Sequence, residues 1–184
     1  MKGVIFNLAE EVVSARFGDA SWDQVLDTAG LDGAFTSLGN YPDSDLVSLV
    51  SAASTLLDVR ADEVIRMIGS GALPLLAERY PAFFTPHIST RPFLLTLNEV
   101  IHAEVRKLYP NADVPEFEFD TSDDTWLAMR YTSHRQLCAL AEGFVMGAAA
   151  HYGEEAVIEQ PQCMHDGADS CLLRCRFTPV AAQA

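Results

Sequence analysis

The 184-residue chain carries 26 acidic and 12 basic side chains, which give a formal net charge of −14 at pH 7, and 49% of its residues are hydrophobic. That length fits one domain with a substantial core. Such an acidic surface repels nucleic-acid phosphates and anionic lipid, so we expect neither a nucleic-acid nor a membrane partner. The N-terminus does not resemble a signal peptide and no apolar stretch is long enough to span a bilayer, which predicts a cytoplasmic protein.

Apolar residues at helical spacing predict four helices in the first half of the chain. These helices cover residues 2–17, 21–29, 46–57 and 61–76. Ser21 is a good N-cap for the second helix, and Pro74 is expected to kink or end the fourth. A short helical turn follows at residues 80–84. Pro92 then suits the first position of a long helix, which Tyr109-Pro110-Asn111 ends.

After the long helix the pattern changes to a period of two, which is typical of strands. Strands are predicted over residues 114–120, 125–131, 157–160 and 172–177. A helix over 137–152 is inserted between the two pairs of strands, and Gly153 ends it. This order predicts an α+β fold, in which an N-terminal helical part packs on a C-terminal antiparallel sheet with one inserted helix.

Three polar side chains alternate in the segment that follows the second predicted strand. In an extended conformation Tyr131, Ser133 and Arg135 would lie on one face. All three donate hydrogen bonds and the guanidinium is permanently charged, so together they would clamp a carboxylate or a phosphate. The alternative is that these are ordinary polar residues on the solvent face of a strand.

His102 lies within the strongly apolar pattern of the long helix. One interpretation is a core histidine that hydrogen-bonds a carbonyl, and the other is an iron ligand that uses a neutral imidazole nitrogen. A buried histidine and a carboxylate clamp together favour haem, because haem needs an iron ligand and partners for its two propionates. We expect the haem to lie between the helical part and the sheet.

The same residues resemble the haem nitric oxide/oxygen-binding (H-NOX) family. Residues 1–7 resemble the N-terminal helix of that family, residues 100–110 the helix that bears its proximal histidine, and residues 141–149 the helix after its propionate signature. That signature, Tyr-x-Ser-x-Arg, lies within residues 130–135. The resemblance covers the chain and implies one haem-binding domain over 1–184, with a helical part to about residue 60 and a haem and sheet part over about 61–180.

The resemblance implies that haem b is bound, that His102 ligates its iron, and that Tyr131, Ser133 and Arg135 hold the propionates. Two further positions match residues that press on the porphyrin and distort it, Ile5 and Pro115. Other candidate residues of the haem pocket are Leu73, Pro74, Leu140, Phe144 and Val145.

The gas preference is predicted from the distal side of the haem. Bound O2 gains superoxide-like charge and needs a hydrogen-bond donor, whereas bound NO needs little such help. Oxygen-binding relatives use a distal tyrosine where this chain has Leu140, and a supporting tryptophan where it has Ala9. We therefore expect NO, and carbon monoxide, as ligands. An oxygen-binding haem protein is the alternative if Tyr41 or Tyr80 reaches the pocket.

The resemblance implies a sensor and not an enzyme. Binding of NO would break the iron bond to His102, strain at Ile5 and Pro115 would relax, and the helix over 92–109 would shift. The implied partner is a separate signalling protein, either a histidine kinase or a cyclic-di-GMP enzyme (a diguanylate cyclase or phosphodiesterase). A haem peroxidase or an NO-detoxifying enzyme would need a distal acid or base, for which the sequence offers no convincing candidate.

Cysteines form a second candidate site, and in a cytoplasmic protein they indicate thiols or metal ligands over disulfides. Cys138, Cys163 and Cys171 resemble the zinc-binding cysteines of some bacterial relatives, whose histidine ligand is Gln160 here. The candidate fourth ligands are His165 and Cys175, although a strand places the latter roughly 13 Å from Cys171. The alternatives are reduced core cysteines, redox-sensing thiols, or a haem-free zinc module that binds a small carboxylate or lipid.

Overall fold

The computed structural model describes residues 1–109 and 111–181. The N-terminal part is helical and the C-terminal part is a four-stranded antiparallel sheet with one helix inserted, so the predicted α+β fold is confirmed. No helix in the described part of the chain is both long and apolar enough to cross a bilayer.

The first half of the chain forms four helices, as predicted: α1 Gly3–Phe17, α2 Asp19–Ala29, α3 Asp43–Leu57 and α4 Ala61–Arg79. Helix α2 begins before Ser21, whose hydroxyl donates to the Phe17 carbonyl (2.8 Å) instead of capping. Helix α4 continues through Pro74 to Arg79. The prediction that the helix ends near residue 76 is therefore wrong. Burial of Leu73 and Ala77 on either side keeps the helix packed past the missing hydrogen bond.

An aromatic cluster anchors the N-terminal core. The ring of Phe6 stacks on that of Phe35, with centroids 4.2 Å apart, and both rings meet Tyr41 edge-on. Helices α1 to α4 bury their apolar faces around this cluster, and Leu140 from the inserted helix packs against it. The apolar periodicity that predicts these helices is thus the periodicity that fills this core.

The prediction of one long helix over residues 92–109 is wrong, because the structure has three shorter helical segments there. They are α5 Thr90–Leu94, a π-helical turn Leu97–Ile101 and α6 His102–Leu108. The Thr96 hydroxyl donates to the Phe93 carbonyl (2.7 Å), and the Ile101 amide donates to the Thr96 carbonyl five residues back (3.2 Å). The predicted end at Pro110 lies outside the described residues, and Asn111 has a positive φ of 63°.

The sheet has four strands in the spatial order β1-β2-β4-β3. Their bounds are β1 Glu116–Asp120, β2 Leu127–Thr132, β3 Glu154–Gln162 and β4 Cys171–Pro179. Strand β3 is longer at both ends than its predicted range of 157–160, since Glu154 already pairs with Pro179. The inner face carries the second core, which includes Leu127, Met129 and Leu173.

The inserted helix, α7 Cys138–His151, lies against both the sheet and α4. Glycines let the two helices approach closely. A Cβ atom on Gly143 would stand 2.3 Å from the Arg66 carbonyl oxygen, and one on Gly69 would stand 2.6 Å from the Leu140 carbonyl oxygen. An ion pair between Arg66 Nε and buried Glu142 (2.7 Å) joins the same two helices. Helix α4 therefore connects the N-terminal core to the sheet.

Candidate functional site

His102 is the first residue of α6 and directly follows the π-helical turn Leu97–Ile101. Its imidazole packs beside the ring of Phe117, with centroids 5.9 Å apart and planes 28° from parallel. Within the described part of the chain its Nδ1 atom is buried and has no hydrogen-bond partner. Burial, with a smaller contribution from Arg106, lowers the pKa of His102 from 6.5 to about 4. The ring is thus neutral at physiological pH, as an iron ligand must be.

Side-chain bonds hold the turn that precedes this histidine against the sheet. The Asn98 amide donates to the Phe117 carbonyl, and the Phe117 amide donates back to Asn98 Oδ1 (3.3 Å). Since π-helical turns inside helices are frequent at functional sites, this one marks His102 as more than a core residue. Sequence periodicity missed the turn, because its apolar spacing also fits an α-helix.

Tyr131 and Ser133 lie close together, but not for the reason that alternation predicts. Strand β2 ends at Thr132, the chain then turns, and Gln136 has a positive φ of 53°, so the extended alternation to Arg135 is wrong. The buried Tyr131 hydroxyl accepts from the Leu137 amide (3.0 Å) and lies within hydrogen-bonding reach of Ser133. Burial raises the pKa of Tyr131, which keeps its proton available for donation.

Arg135 has carboxylate partners within the protein that the sequence did not reveal. Its Nε lies 2.9 Å from an Asp43 carboxylate oxygen, and its Nη1 lies 3.0 Å from Asp113 Oδ2 and 2.8 Å from the Asp113 carbonyl. Burial acts to raise the pKa of Asp43, but the N-terminal ammonium (2.7 Å) and Arg135 outweigh it and lower that pKa. These contacts connect the start of α1, the start of α3 and the turn after β2.

The candidate pocket side chains are apolar. Leu73 and Val145 are buried, Ile5, Pro115, Leu140 and Phe144 are partly buried, and Ala9 is buried in the N-terminal core. Phe144 contacts the sheet core and also the apolar cluster between α1 and α4. Pro74, in contrast, is exposed on α4. None of these side chains carries a hydrogen-bond donor.

The two tyrosines that would have supplied a distal donor are engaged elsewhere. The Tyr41 hydroxyl donates to the Ala34 carbonyl (3.0 Å) and accepts from the Thr36 amide (2.8 Å), within the N-terminal aromatic cluster. The Tyr80 hydroxyl lies 3.5 Å from that of Tyr109, where the ends of α4 and α6 meet. Neither tyrosine therefore lies among the candidate distal residues.

Three of the four cysteines converge where α7 begins and where β3 joins β4. Cys163 Sγ lies 3.9 Å from Cys138 Sγ and 3.9 Å from Cys171 Sγ, and all three sulfurs lie within 4.8 Å of one another. The Met164 amide donates to Cys171 Sγ (3.2 Å). We call this set, Cys138, Cys163 and Cys171, the thiol group.

Neither predicted fourth ligand reaches the thiol group. His165 is exposed, and its Nε2 lies 2.8 Å from the Gln136 carbonyl oxygen. Cys175 is buried in the sheet core, where its sulfur lies 3.9 Å from that of Met129. Gln160 instead lies next to the Cys138 thiol, and its Nε2 is buried without a partner among the described residues.

Comparison with known proteins gives matches along nearly the whole chain. The Haem-NO-binding family model matches residues 2–160. An H-NOX protein from Shewanella oneidensis in the Fe(II)NO ligation state is 32% identical, with a TM-score of 0.89 over 97% of this chain and 99% of that one. The S. oneidensis H-NOX domain in the Fe(II)CO state is also 32% identical, with a TM-score of 0.87 over 97% of this chain and 99% of that one.

A third similar structure is the unliganded Fe(II) H-NOX protein from K. algicida. It is 25% identical, with a TM-score of 0.86 over 100% of both chains. The family match covers most of the chain, and these structures share its helices and sheet. The chain therefore belongs to the H-NOX family of haem-based gas-binding sensor domains.

Proposed function

We propose that this protein senses nitric oxide through a haem b group and transmits the signal to a separate partner protein. The observation that carries the proposal is His102, a neutral and partly buried imidazole whose buried Nδ1 has no partner among the described residues, placed at the junction of a π-helical turn and α6. An ordinary core histidine would satisfy both ring nitrogens with hydrogen bonds. A ring nitrogen without a hydrogen-bond partner fits an imidazole that binds haem iron.

The residues present fit a haem at this position. His102 would hold the iron, while Tyr131, Ser133 and Arg135 would hold the propionates through donated hydrogen bonds. Arg135 already donates to the carboxylates of Asp43 and Asp113, which supports a role for it in binding anionic oxygen. When bound, ferrous haem would supply an iron that takes up a gas, and His102 is the side chain that would hold that iron and be released on NO binding.

The gas preference follows from the side chains of the distal side. Leu73, Leu140, Phe144 and Val145 carry no donor, and Tyr41 and Tyr80 make their bonds elsewhere. Residues of this kind leave the charge of a bound O2 unsupported, whereas NO needs little support. We therefore propose that NO and CO bind and that O2 binds weakly. The S. oneidensis relatives, which were solved with NO and with CO, support this proposal.

The signal would travel through the segment that carries His102. The π-helical turn Leu97–Ile101, a form of helix that is frequent at functional sites, is held on β1 by the Asn98 bonds to Phe117. Release of the imidazole would let this turn and α6 move together. Val100 and Leu108 lie on the same segment and are 45% and 50% exposed, so a shift would change an exposed apolar surface.

The partner that we propose is a histidine kinase or a cyclic-di-GMP enzyme, and the chain itself would act as one non-enzymatic sensor domain. The resemblance to bacterial H-NOX proteins supports that choice. All four cysteines are free thiols, which fits a cytoplasmic location. The thiol group supports a second role as a zinc site or as an oxidant-sensing module, since its sulfurs are already grouped.

Visible absorption of the haem-loaded protein, reduced without oxygen and then exposed to air or to NO, tests this proposal. We expect a five-coordinate ferrous spectrum that air leaves unchanged and that NO shifts to another five-coordinate form. A stable spectrum of an O2 complex would contradict the gas preference. Failure to bind haem on reconstitution would remove the haem proposal and leave the zinc or redox role of the thiol group.

A further inference from the structure

The thiol group has the spacing of a metal site. Zinc–sulfur bonds of about 2.3 Å at tetrahedral angles place neighbouring sulfurs roughly 3.8 Å apart. Two of the sulfur pairs, Cys138 with Cys163 and Cys163 with Cys171, are each separated by 3.9 Å. The third pair lies within 4.8 Å, so the start of α7, the residue after β3 and the start of β4 supply three sulfurs at distances compatible with three corners of a tetrahedron.

The described residues supply no fourth His, Cys, Asp or Glu ligand to the thiol group. Among residues 1–109 and 111–181, the thiol group includes no imidazole and no carboxylate. His165 points its Nε2 at the Gln136 carbonyl, and Cys175 is one of the side chains that fill the sheet core. A structural zinc site normally has four protein ligands, whereas a site with three leaves a position for an outside ligand.

Gln160 is a polar side chain next to the thiol group, through its contact with Cys138. It lies on β3 beside Cys138, and its Nε2 is buried with no partner among the described residues. A neutral amide nitrogen donates hydrogen bonds but does not ligate metals, and a buried donor without an acceptor costs about 1–3 kcal/mol. An acceptor atom at the fourth corner, or a thiolate of the group, would remove that cost.

We propose that Cys138, Cys163 and Cys171 bind Zn²⁺ as a three-thiolate site whose fourth position takes an exchangeable small ligand, hydrogen-bonded by Gln160. Binding the metal releases one proton from each of the three thiols to solvent. Water would fill the fourth position at rest, and a low-molecular-weight thiol, as a soft donor, would replace it as the thiolate and release the water and one proton to solvent. This inference rests on the zinc role proposed above for the thiol group and not on haem.

Zinc K-edge X-ray absorption on the full chain, loaded with one equivalent of Zn²⁺, tests the inference. We expect three sulfur neighbours and one lighter atom at the zinc, and a fourth sulfur after addition of 2-mercaptoethanol. Gln160→His should supply an imidazole, so its spectrum should not respond to the thiol and its zinc should leave to a chelator at least tenfold more slowly. Glu159→His is the matched control, because Glu159 is exposed and pairs with Arg174.

Three results would overturn the inference: four ligands from the chain in the wild type, an unchanged sulfur count after thiol addition, or no bound zinc at one equivalent. The wild-type response to thiol decides the question even if the histidine variant does not fold. Absorption changes with NO, recorded on the same samples, report on the haem proposal separately. A failure at the thiol group would leave that response intact.

Discussion

Replacement of Gly143 by alanine tests the close approach of α4 and α7, which positions the candidate distal residues. The added Cβ atom would lie 2.3 Å from the Arg66 carbonyl oxygen and 3.0 Å from the Gly69 Cα. Ordinary contacts begin near 3.4 Å, so the two helix backbones must separate by about 1 Å. Neither obstructing atom can rotate away, since both belong to the backbone of α4.

The expected cost is the balance of two effects. Alanine gains about 1 kcal/mol over glycine in a helix interior. Overpacking costs about 1–3 kcal/mol, and a gap near 1 Å forfeits roughly half the dispersion attraction across the separated faces. We expect Gly143→Ala to lower the free energy of unfolding by about 2 kcal/mol. With a urea m-value of about 2 kcal/mol/M, the midpoint should fall by about 1 M.

Urea unfolding followed by far-ultraviolet circular dichroism measures this change, with Gly71→Ala as the control. The nearest atoms to a Cβ on Gly71 all belong to the Val12 side chain, with the two methyl carbons at 2.8 and 2.9 Å and the Cβ at 3.4 Å, so no backbone atom is among them. In the control, the gain of about 1 kcal/mol in helix propensity and the cost of displacing the Val12 side chain should nearly cancel, so its free energy of unfolding should stay within about 0.5 kcal/mol of the wild type. Equal stability of Gly143→Ala and the control would refute the argument that α4 and α7 meet backbone to backbone at this position.

Three further substitutions test the haem site. His102→Gly, with haem retained, should give the output of the NO-bound protein without gas in an assay of the partner's activity, and an output like that of the unliganded protein would contradict the release mechanism. Leu140→Tyr should create a distal donor and yield an O2 complex detectable by absorption, while Leu140→Phe should not. Tyr131→Phe removes the acceptor of the Leu137 amide and should lower the unfolding free energy of the haem-free protein by about 1 kcal/mol. It should also speed haem transfer to an apomyoglobin trap, and unchanged rates would argue against a propionate role.

Local patterns predicted much of the fold. Apolar periodicity placed the four N-terminal helices and the inserted helix, because those helices bury one face against the cores that they build. It could not place the π-helical turn before His102, since the apolar spacing there also suits an α-helix. What selects the turn is the bonding of Asn98 to Phe117, a contact between residues 19 positions apart.

In the candidate site, too, the sequence predicted the residues but not the contacts that they make with distant parts of the chain. His102 and the Tyr131–Arg135 segment stand out in the sequence by residue type and spacing. The partners of Arg135 do not, because Asp43 lies 92 residues away and meets it only through the packing of α3 beside the turn after β2. Likewise, the resemblance placed Gln160 at the position of the relatives' zinc-binding histidine, but the sequence could not show that His165 and Cys175 have other neighbours, which depends on how β3 and β4 pair.

The central claim is that His102 holds the haem iron and is released when NO binds. Electron paramagnetic resonance of the reduced, haem-loaded protein after addition of NO tests it most directly. The account predicts hyperfine splitting from the NO nitrogen alone, and the same spectrum from His102→Gly. Additional splitting from a histidine nitrogen that persists in the wild type at equilibrium would contradict release of His102.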